Sequence, residues 1–231
     1  LYYDFKVPYD AATLFGDEDY KHIETIKHLN IAANYLDFTE PLTERFFDGA
    51  ARACEYLINN YYGKYAPHEA TVDCIGHTHI DVAGMWTYAQ TKEKVQRSFS
   101  IVVELMKRYP EYRFTISQPQ LLEYLKEEAP TVYADIKELV NQGRIDIEGA
   151  TWVEPDCNLP SGESLVRQII WGKKFIKDEF DMDSKILWLP DVFGYSAAIP
   201  QILKKSGVDK FVTSKIGWNE FNQIPYDLFK W

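Results

Sequence analysis

The chain has 231 residues, of which 46% are hydrophobic and 26% are charged. This balance excludes disordered, collagen-like and coiled-coil proteins and indicates a globular fold with a substantial core. The 25 basic and 35 acidic residues give a net charge of −10, which argues against a nucleic acid or an anionic membrane as partner. The chain begins with Leu1 and ends with Trp231, without polar tails, and we expect it to be a piece of a longer protein.

The cysteines and the hydropathy pattern bear on the compartment. Cys54, Cys74 and Cys157 lie far apart and have no CxxC spacing. The sequence therefore predicts neither a disulfide framework nor a thiolate zinc site, and a reducing compartment fits best. No stretch reaches the roughly 18 to 20 apolar residues that a membrane span needs. The first residues also lack the pattern of a secretion signal.

Residues 1–70 are predicted to form a helical lead-in. We expect residues 1–16 to be irregular and two helices to follow at about 18–35 and 40–62. In the second helix, apolar residues recur at helical spacing: Leu42, Phe46, Ala50, Ala53, Tyr56 and Leu57. The segment 61–70 contains Gly63 and Pro67 and is the predicted domain boundary.

Residues 71–231 alternate between strand and helix patterns. The candidate strands are 72–76, 112–117, 144–149, 185–189 and 210–213. Helical segments are predicted between them at about 89–108, 118–142, 161–178 and 197–206. This order predicts an α/β fold with a parallel sheet, either doubly wound or closed as a barrel. Five strands are too few to close a barrel, so we expect a barrel that is incomplete at its C-terminus.

Polar side chains follow all five candidate strands. They are His77, His79, Asp81, Gln118, Glu154, Asp156, Asp191 and Lys215. In parallel α/β folds the carboxyl ends of the strands carry the chemistry, because their loops vary while the strands hold them rigidly. The sequence therefore predicts one functional rim built from several loops.

The densest polar cluster is the run from His77 to Asp81. Residues two apart in extended chain point the same way, so His77, His79 and Asp81 are predicted to face one ion. Imidazole and carboxylate together suit zinc or another divalent transition metal. The alternative is a pair of structural histidines at the sheet edge.

Two acidic segments carry competing interpretations. Asp191 follows an apolar strand and is a candidate nucleophile or metal ligand, or else the cap of a turn or helix. Glu154 and Asp156 lie in a loop framed by prolines and are candidates for a paired-carboxylate function. That loop is equally well explained as a rigid connection that ends at Ser161, the N-cap of a helix.

Several long segments resemble a known family. The segments 76–100 (GHTHIDVAGMWTYAQTKEKVQRSFS), 117–120 (SQPQ), 149–168 and 187–220 (beginning LWLPDVFGYS) are similar to the catalytic domain of glycoside hydrolase family 38 α-mannosidases. The bacterial and cytosolic or vacuolar branch matches best, over residues 70–231. The resemblance implies that residues 71–231 belong to the catalytic, seven-stranded TIM-like β/α barrel of a zinc-dependent, retaining exo-α-mannosidase. Its partners would be glycans with terminal α-mannose, and a homo-oligomer is compatible with it. The cysteines lead us to expect a cytoplasmic location.

The resemblance also implies roles for individual residues. His79 and Asp81 match metal ligands, and Asp191 matches an aspartate that is both metal ligand and nucleophile. His77 would then accompany the site without ligating. A further histidine ligand and the acid/base carboxylate are expected beyond Trp231. Trp86 and Lys215 are expected to bind substrate.

One position departs from the family pattern. Gly84 stands where the family has a tryptophan that stacks on the reacting sugar, and losing one stacking ring costs on the order of 1 kcal/mol of sugar binding. Two other hypotheses remain open, and Gly84 supports only the second of them. One is a metal-dependent polysaccharide deacetylase or amidohydrolase that uses a metal-bound water, and the other is a catalytically impaired carbohydrate-binding relative.

Overall fold

The computed structural model describes residues 1–65, 72–222 and 224–231. The chain divides into two compact units, Leu1–Val72 and Asp73–Trp231. Within the boundary predicted at 61–70, residues 66–70 lie outside the described residues. In the described part of the chain, no helix combines the length and apolar character needed to cross a membrane.

The first unit is helical. Its helices are α1 (Tyr2–Ala12), α2 (Tyr20–Ala33), α3 (Glu44–Leu57) and the short α4 (Gly63–Tyr65), and a π-helical segment (Ile58–Tyr62) lies between α3 and α4. The two predicted helices are thus confirmed. Their starts are fixed by side-chain caps, since Asp19 accepts a hydrogen bond from the Lys21 N–H and Thr43 accepts one from the Phe46 N–H. The core of this unit is formed by Leu29, Ala32, Ala53 and Leu57.

The prediction that residues 1–16 are irregular is wrong, because α1 forms there around Pro8. Its support comes from residues distant in sequence. The Tyr62 hydroxyl donates to the Asp4 carbonyl oxygen over 3.0 Å, and the Cys54 thiol lies 3.4 Å from the Asp4 carboxylate. Asp4 also stands in the first turn, where a negative charge stabilises a helix. Such contacts override a weak local preference.

The second unit contains all five predicted strands in the described residues. They are β1 (Gly76–His77), β2 (Phe114–Ile116), β3 (Ile145–Ile147), β4 (Ile186–Trp188) and β5 (Lys210–Val212). β1 begins later than predicted and leaves residues 72–75 outside the strand. Strands β1, β2 and β3 form one parallel sheet in that order, and β4 pairs with β5, also in parallel.

Five helices connect these strands. They are α5 (Tyr88–Arg108), α6 (Pro119–Glu128), α7 (Pro130–Asn141), α8 (Gly162–Phe180) and α9 (Ile199–Lys205). The single helix predicted at 118–142 is two helices. Ala129 leaves the helical conformation with a φ of −143°, as expected for a residue that precedes a proline.

The connection between β3 and β4 joins the two sheets. The Gly149 N–H donates to the Ile186 carbonyl oxygen over 3.0 Å, and Gly149 forms a parallel bridge with Leu187. Gly149 has a φ of +135°, and a Cβ there would lie 2.1 Å from the Ser117 carbonyl oxygen, so only glycine fits. The mixed α/β prediction is confirmed, whereas the closed seven-stranded barrel stays a prediction.

An ion-pair network ties three helices together on the outside of the sheet. Glu179 of α8 accepts hydrogen bonds from Lys126 of α6 (2.6 Å) and from Tyr133 and Lys137 of α7 (2.8 and 3.3 Å). Its hydrogen bond with Lys126 is the largest cause that lowers the pKa of Glu179 from 4.5 to about 2. The charge of Glu179 is therefore a stabilising feature of this packing.

We expect Glu179→Gln to lower the free energy of unfolding at pH 7 by about 1–2 kcal/mol, a value discounted for the half-exposed lysines. Because the folded-state pKa is depressed, the difference is complete above pH 4.5 and disappears as the pH falls to about 2. Urea unfolding of both proteins between pH 7 and pH 2 measures it. The exposed Glu111→Gln serves as the control, and a difference that does not change with pH would contradict this role.

Candidate active site

The candidate site lies past the carboxyl ends of the strands in the second unit. His79 follows β1, Glu154 lies between β3 and α8, Asp191 follows β4 and Lys215 follows β5. The parallel arrangement directs these loops to the same rim. The structure thus brings together residues that are up to 136 positions apart, from His79 to Lys215.

His79 is surrounded by carboxylates. Its Nδ1 lies 2.8 Å from Oε2 of Glu154, and its Nε2 lies 3.2 Å from Oδ1 of Asp81 and 3.3 Å from Oδ2 of Asp191. The Glu154 carboxylate is the largest cause that raises the pKa of His79 to about 9, against the opposing effect of burial. The protonated imidazole therefore neutralises part of the acidic cluster.

Asp191 has a second cationic neighbour. The Lys215 ammonium lies 2.8 Å from Oδ1 of Asp191, and only 14% of the Lys215 side chain is exposed. Lys215 also lies over the Trp218 ring, 3.3 Å from its centroid. The neighbouring Lys215 ammonium is the main cause that lowers the pKa of Asp191. Asp191 is therefore held as a carboxylate, the form that a nucleophile or a metal ligand requires.

The buried side-chain amide of Gln118 connects the loops that carry these charged residues. Gln118, which is 2% exposed, donates from Nε2 to the Ile80 carbonyl oxygen (2.9 Å) and accepts at Oε1 from the Glu154 N–H (3.1 Å). Ser117 donates to Oε1 of Glu154 over 2.9 Å. These bonds connect the loops that follow β1, β2 and β3. The sequence placed Gln118 and Glu154 at strand ends, but it gave no signal for the contact between Glu154 and His79.

Two of the polar residues predicted at the rim, His77 and Asp156, form hydrogen bonds with groups other than His79. His77 Nδ1 lies 3.0 Å from the Thr115 carbonyl oxygen, and its Nε2 accepts a hydrogen bond from the Trp188 indole over 3.2 Å. Both ring nitrogens are thus engaged away from His79, and the alternating His-His-Asp pattern does not face one ion. Asp156 accepts hydrogen bonds from the N–H groups of Asn158 and Leu159 and shapes its own loop.

The segment after Asp81 is held against the start of α5. The Trp86 indole donates to the Thr91 hydroxyl over 2.9 Å, and that hydroxyl lies 3.2 Å from the Asp81 carbonyl oxygen. Gly84 packs directly against the Asp81 side chain, since a Cβ added at Gly84 would lie only 2.9 Å from Oδ2 of Asp81. In this backbone conformation a larger residue at position 84 would displace the Asp81 carboxylate.

The geometry groups three residues as possible metal ligands. His79, Asp81 and Asp191 each offer one donor atom, and these atoms lie within 4.8 Å of one another. One imidazole nitrogen and two carboxylate oxygens are a suitable donor set for zinc, which accepts three protein ligands in catalytic sites. The residues present therefore fit a divalent cation.

A sequence model described as the Glycosyl hydrolases family 38 N-terminal domain matches residues 69–231. The chain therefore belongs to glycosyl hydrolase family 38, which confirms the resemblance seen in the motifs. A solved α-mannosidase from Enterococcus faecalis V583 has a similar fold, with a TM-score of 0.56 and 22% identity. That comparison covers 60% of this chain and 16% of the solved one.

Several relatives align along the whole chain, and three of them are named here by organism. They are Alpha-mannosidase G of Dictyostelium discoideum (36% identical), Alpha-mannosidase of Saccharomyces cerevisiae (37%) and human Alpha-mannosidase 2C1 (35%). Each alignment covers 100% of this chain but only 21% or 22% of the relative. The chain thus spans about a fifth of the length of the relatives it matches.

We expect Gln118→Leu to lower the free energy of unfolding by about 2–4 kcal/mol, because two buried main-chain groups, the Ile80 carbonyl and the Glu154 N–H, lose their partner. Urea unfolding measures the loss. The matched control is Gln201→Leu on the exposed face of α9, where we expect a change within about 0.5 kcal/mol. Equal stability of the two variants would show that this amide does not hold the rim together.

Proposed function

We propose that the protein containing this chain is a zinc-dependent, retaining exo-α-mannosidase that acts on glycans with terminal α-mannose. The observation that carries the proposal is the position of Asp191. It is an ionised carboxylate on the rim, 3.3 Å from His79 Nε2 and 2.8 Å from Lys215 Nζ. Membership of glycosyl hydrolase family 38 and the names of the relatives support the same activity.

In this proposal His79, Asp81 and Asp191 hold the zinc ion. When bound, zinc supplies a localised positive charge that attracts sugar hydroxyls and favours one orientation of the reacting ring. In mannose the 2- and 3-hydroxyls are cis, so one cation can engage both. A further histidine ligand is expected outside this chain.

Asp191 is the proposed nucleophile. Its carboxylate attacks the anomeric carbon while the glycosidic bond breaks and the leaving oxygen takes a proton from the acid/base group. Water, deprotonated by the same group, then hydrolyses the covalent glycosyl-enzyme and releases Asp191, with overall retention. Lys215 assists by keeping Asp191 ionised. Retaining glycosidases place their second carboxyl group about 5–5.5 Å away, and we expect that acid/base group outside this chain.

Substrate binding is assigned to Trp86 and Lys215. The Lys215 ammonium contacts Asp191 and lies over the Trp218 ring, so it stands next to the proposed nucleophile, where its N–H groups can donate to a sugar hydroxyl. Trp86 offers an aromatic face next to the main chain of Asp81, although Lys94 already lies 4.2 Å from its ring centroid.

Residues 1–70 are proposed as the helical lead-in and 71–231 as the catalytic domain. A cytoplasmic location is supported by the free thiols of all three cysteines.

We expect Asp191→Ala in the full-length protein to reduce hydrolysis of an aryl α-mannoside by a factor on the order of 10⁴ or more, because the nucleophile is lost. A chelator should abolish the wild-type activity, and added zinc should restore it. Proton NMR of the first-formed sugar should show the α anomer. The exposed Asp178→Ala is the control.

Undiminished hydrolysis by Asp191→Ala would overturn the mechanism. Release of acetate or an amine from a polysaccharide, with the glycosidic bonds intact, would favour the deacetylase hypothesis. Binding of mannosides by the wild-type protein without any turnover would favour the impaired relative.

A further inference from the structure

The loops that carry Asp191 and Lys215 are joined by more than the ion pair between these two side chains. Asp191 lies in the loop after β4, and Lys215 lies after β5. A lysine side chain is a flexible four-carbon stem. Its ammonium stays beside one carboxylate only if the main chain at its base is fixed. The hydrogen bonds that fix this main chain therefore decide where the ammonium lies.

The hydroxyl of Tyr195 links the two loops. It lies 2.8 Å from the Val192 carbonyl oxygen, within the loop of Asp191, and it is hydrogen-bonded to the Thr213 hydroxyl after β5. A phenol has one proton, and a carbonyl oxygen only accepts. Tyr195 therefore donates to Val192 and accepts from Thr213.

Thr213 extends the link to Lys215. The Lys215 N–H donates to Oγ1 of Thr213 over 3.3 Å, while the proton of the same hydroxyl is directed to Tyr195. The hydrogen bonds thus run in one direction from the Lys215 N–H to the Val192 carbonyl, and every proton in the series has an acceptor. Since Val192 directly follows Asp191, this series connects the main chain beside one charged residue to the main chain of the other.

The ring of Tyr195 is held independently of its hydroxyl. It packs edge-on against Phe211 of β5, with the ring centroids 5.0 Å apart, and residue 195 forms a parallel bridge with Cys157. Phenylalanine at this position would therefore keep the ring packing and lose only the hydrogen bonds. A separate bond joins the same two loops, from the Ser214 hydroxyl to the Pro190 carbonyl oxygen over 2.6 Å.

We propose that Tyr195 is a positioning residue, which acts through Thr213 to fix the main chain of Lys215 and so holds the Lys215 ammonium beside Asp191. The ammonium lies 2.8 Å from Oδ1 of Asp191, and 14% of the Lys215 side chain is exposed. The inference rests on the proposed function, in which Lys215 stands next to the nucleophile and donates to a sugar hydroxyl. Tyr195 and Thr213 act on Lys215 and not on the substrate.

The first test is a double-mutant cycle in the full-length protein, measured as kcat/KM for an aryl α-mannoside. We expect Tyr195→Phe to lower kcat/KM about 10- to 100-fold, because misplacing a reacting group by about 1 Å costs up to about 100-fold. In a Lys215→Met background the same change should cost less than about threefold, since the residue through which Tyr195 acts is already lost. The control is Tyr109→Phe, at an exposed tyrosine that follows α5, which should leave kcat/KM unchanged.

Thr213 provides a matched pair of variants. Thr213→Val keeps the shape of the side chain but removes the hydroxyl, and we expect the same loss of kcat/KM as in Tyr195→Phe. Thr213→Ser keeps the hydroxyl and should recover most of that loss. Thermal unfolding identifies any variant that fails to fold, and if Tyr195→Phe is one of them the Thr213 pair carries the comparison.

The position of Lys215 can also be followed without enzymatic activity. Reductive methylation with detection by mass spectrometry reports how readily each lysine reacts. Lys215 is 14% exposed, whereas the nearby Lys210 is 63% exposed and serves as the internal reference. We expect Lys215 to react several-fold faster in Tyr195→Phe and in Thr213→Val than in wild type, while Lys210 reacts at the same rate in all three proteins.

Two results would overturn the inference and leave the proposed function intact. One is an equal loss of kcat/KM on Tyr195→Phe with and without Lys215, and the other is unchanged methylation of Lys215 in the folded variants. If the wild-type protein hydrolyses no α-mannoside, the proposed function fails. The methylation rates then still decide whether Tyr195 positions Lys215.

Discussion

The arrangement of this rim depends on balancing negative charge around a single imidazole. Among the described residues, three carboxylates lie within 3.3 Å of His79, in a chain with a net charge of −10. Carboxylates this close together repel one another and would take up protons unless cations compensate them. His79 and Lys215 supply positive charge from two sides. A divalent cation between His79, Asp81 and Asp191 would compensate the same cluster more strongly. The excess of negative charge around His79 therefore favours the proposed metal site.

The framework that brings the charges together is made largely of uncharged groups. Gln118 bridges the loops that follow β1 and β3 by hydrogen bonds to main-chain atoms. Gly149 lets β3 approach both Ser117 and β4, and Glu148 completes that junction by accepting hydrogen bonds from Ser184 and the main chain of β4. Glu154 and Asp191 reach opposite nitrogens of one ring because these junctions fix both loops. A rigid frame of this kind keeps a site ready for its ligand.

Local patterns in the sequence were sufficient for most of the fold. Strand and helix periods located the five parallel strands and the helices between them, because these periods reflect burial of one face and act over a few residues. Where local preference and tertiary contact disagreed, the pattern failed. Helix α1 surrounds Pro8 and is held by Tyr62 and Cys54, and neither contact leaves a trace in residues 1–16.

The sequence by itself determined the α/β class, the order of the strands, the polar residues at their ends and, through long motifs, the family. Only the tertiary structure decided the partner of each polar residue. His77 contacts Trp188, whereas His79 contacts the acidic cluster. Glu154 lies next to Nδ1 of His79, whereas Asp156 accepts hydrogen bonds within its own loop. The physical reason is distance along the chain. His79, Glu154 and Asp191 are separated by tens of residues, so their contacts depend on how whole strands pack side by side.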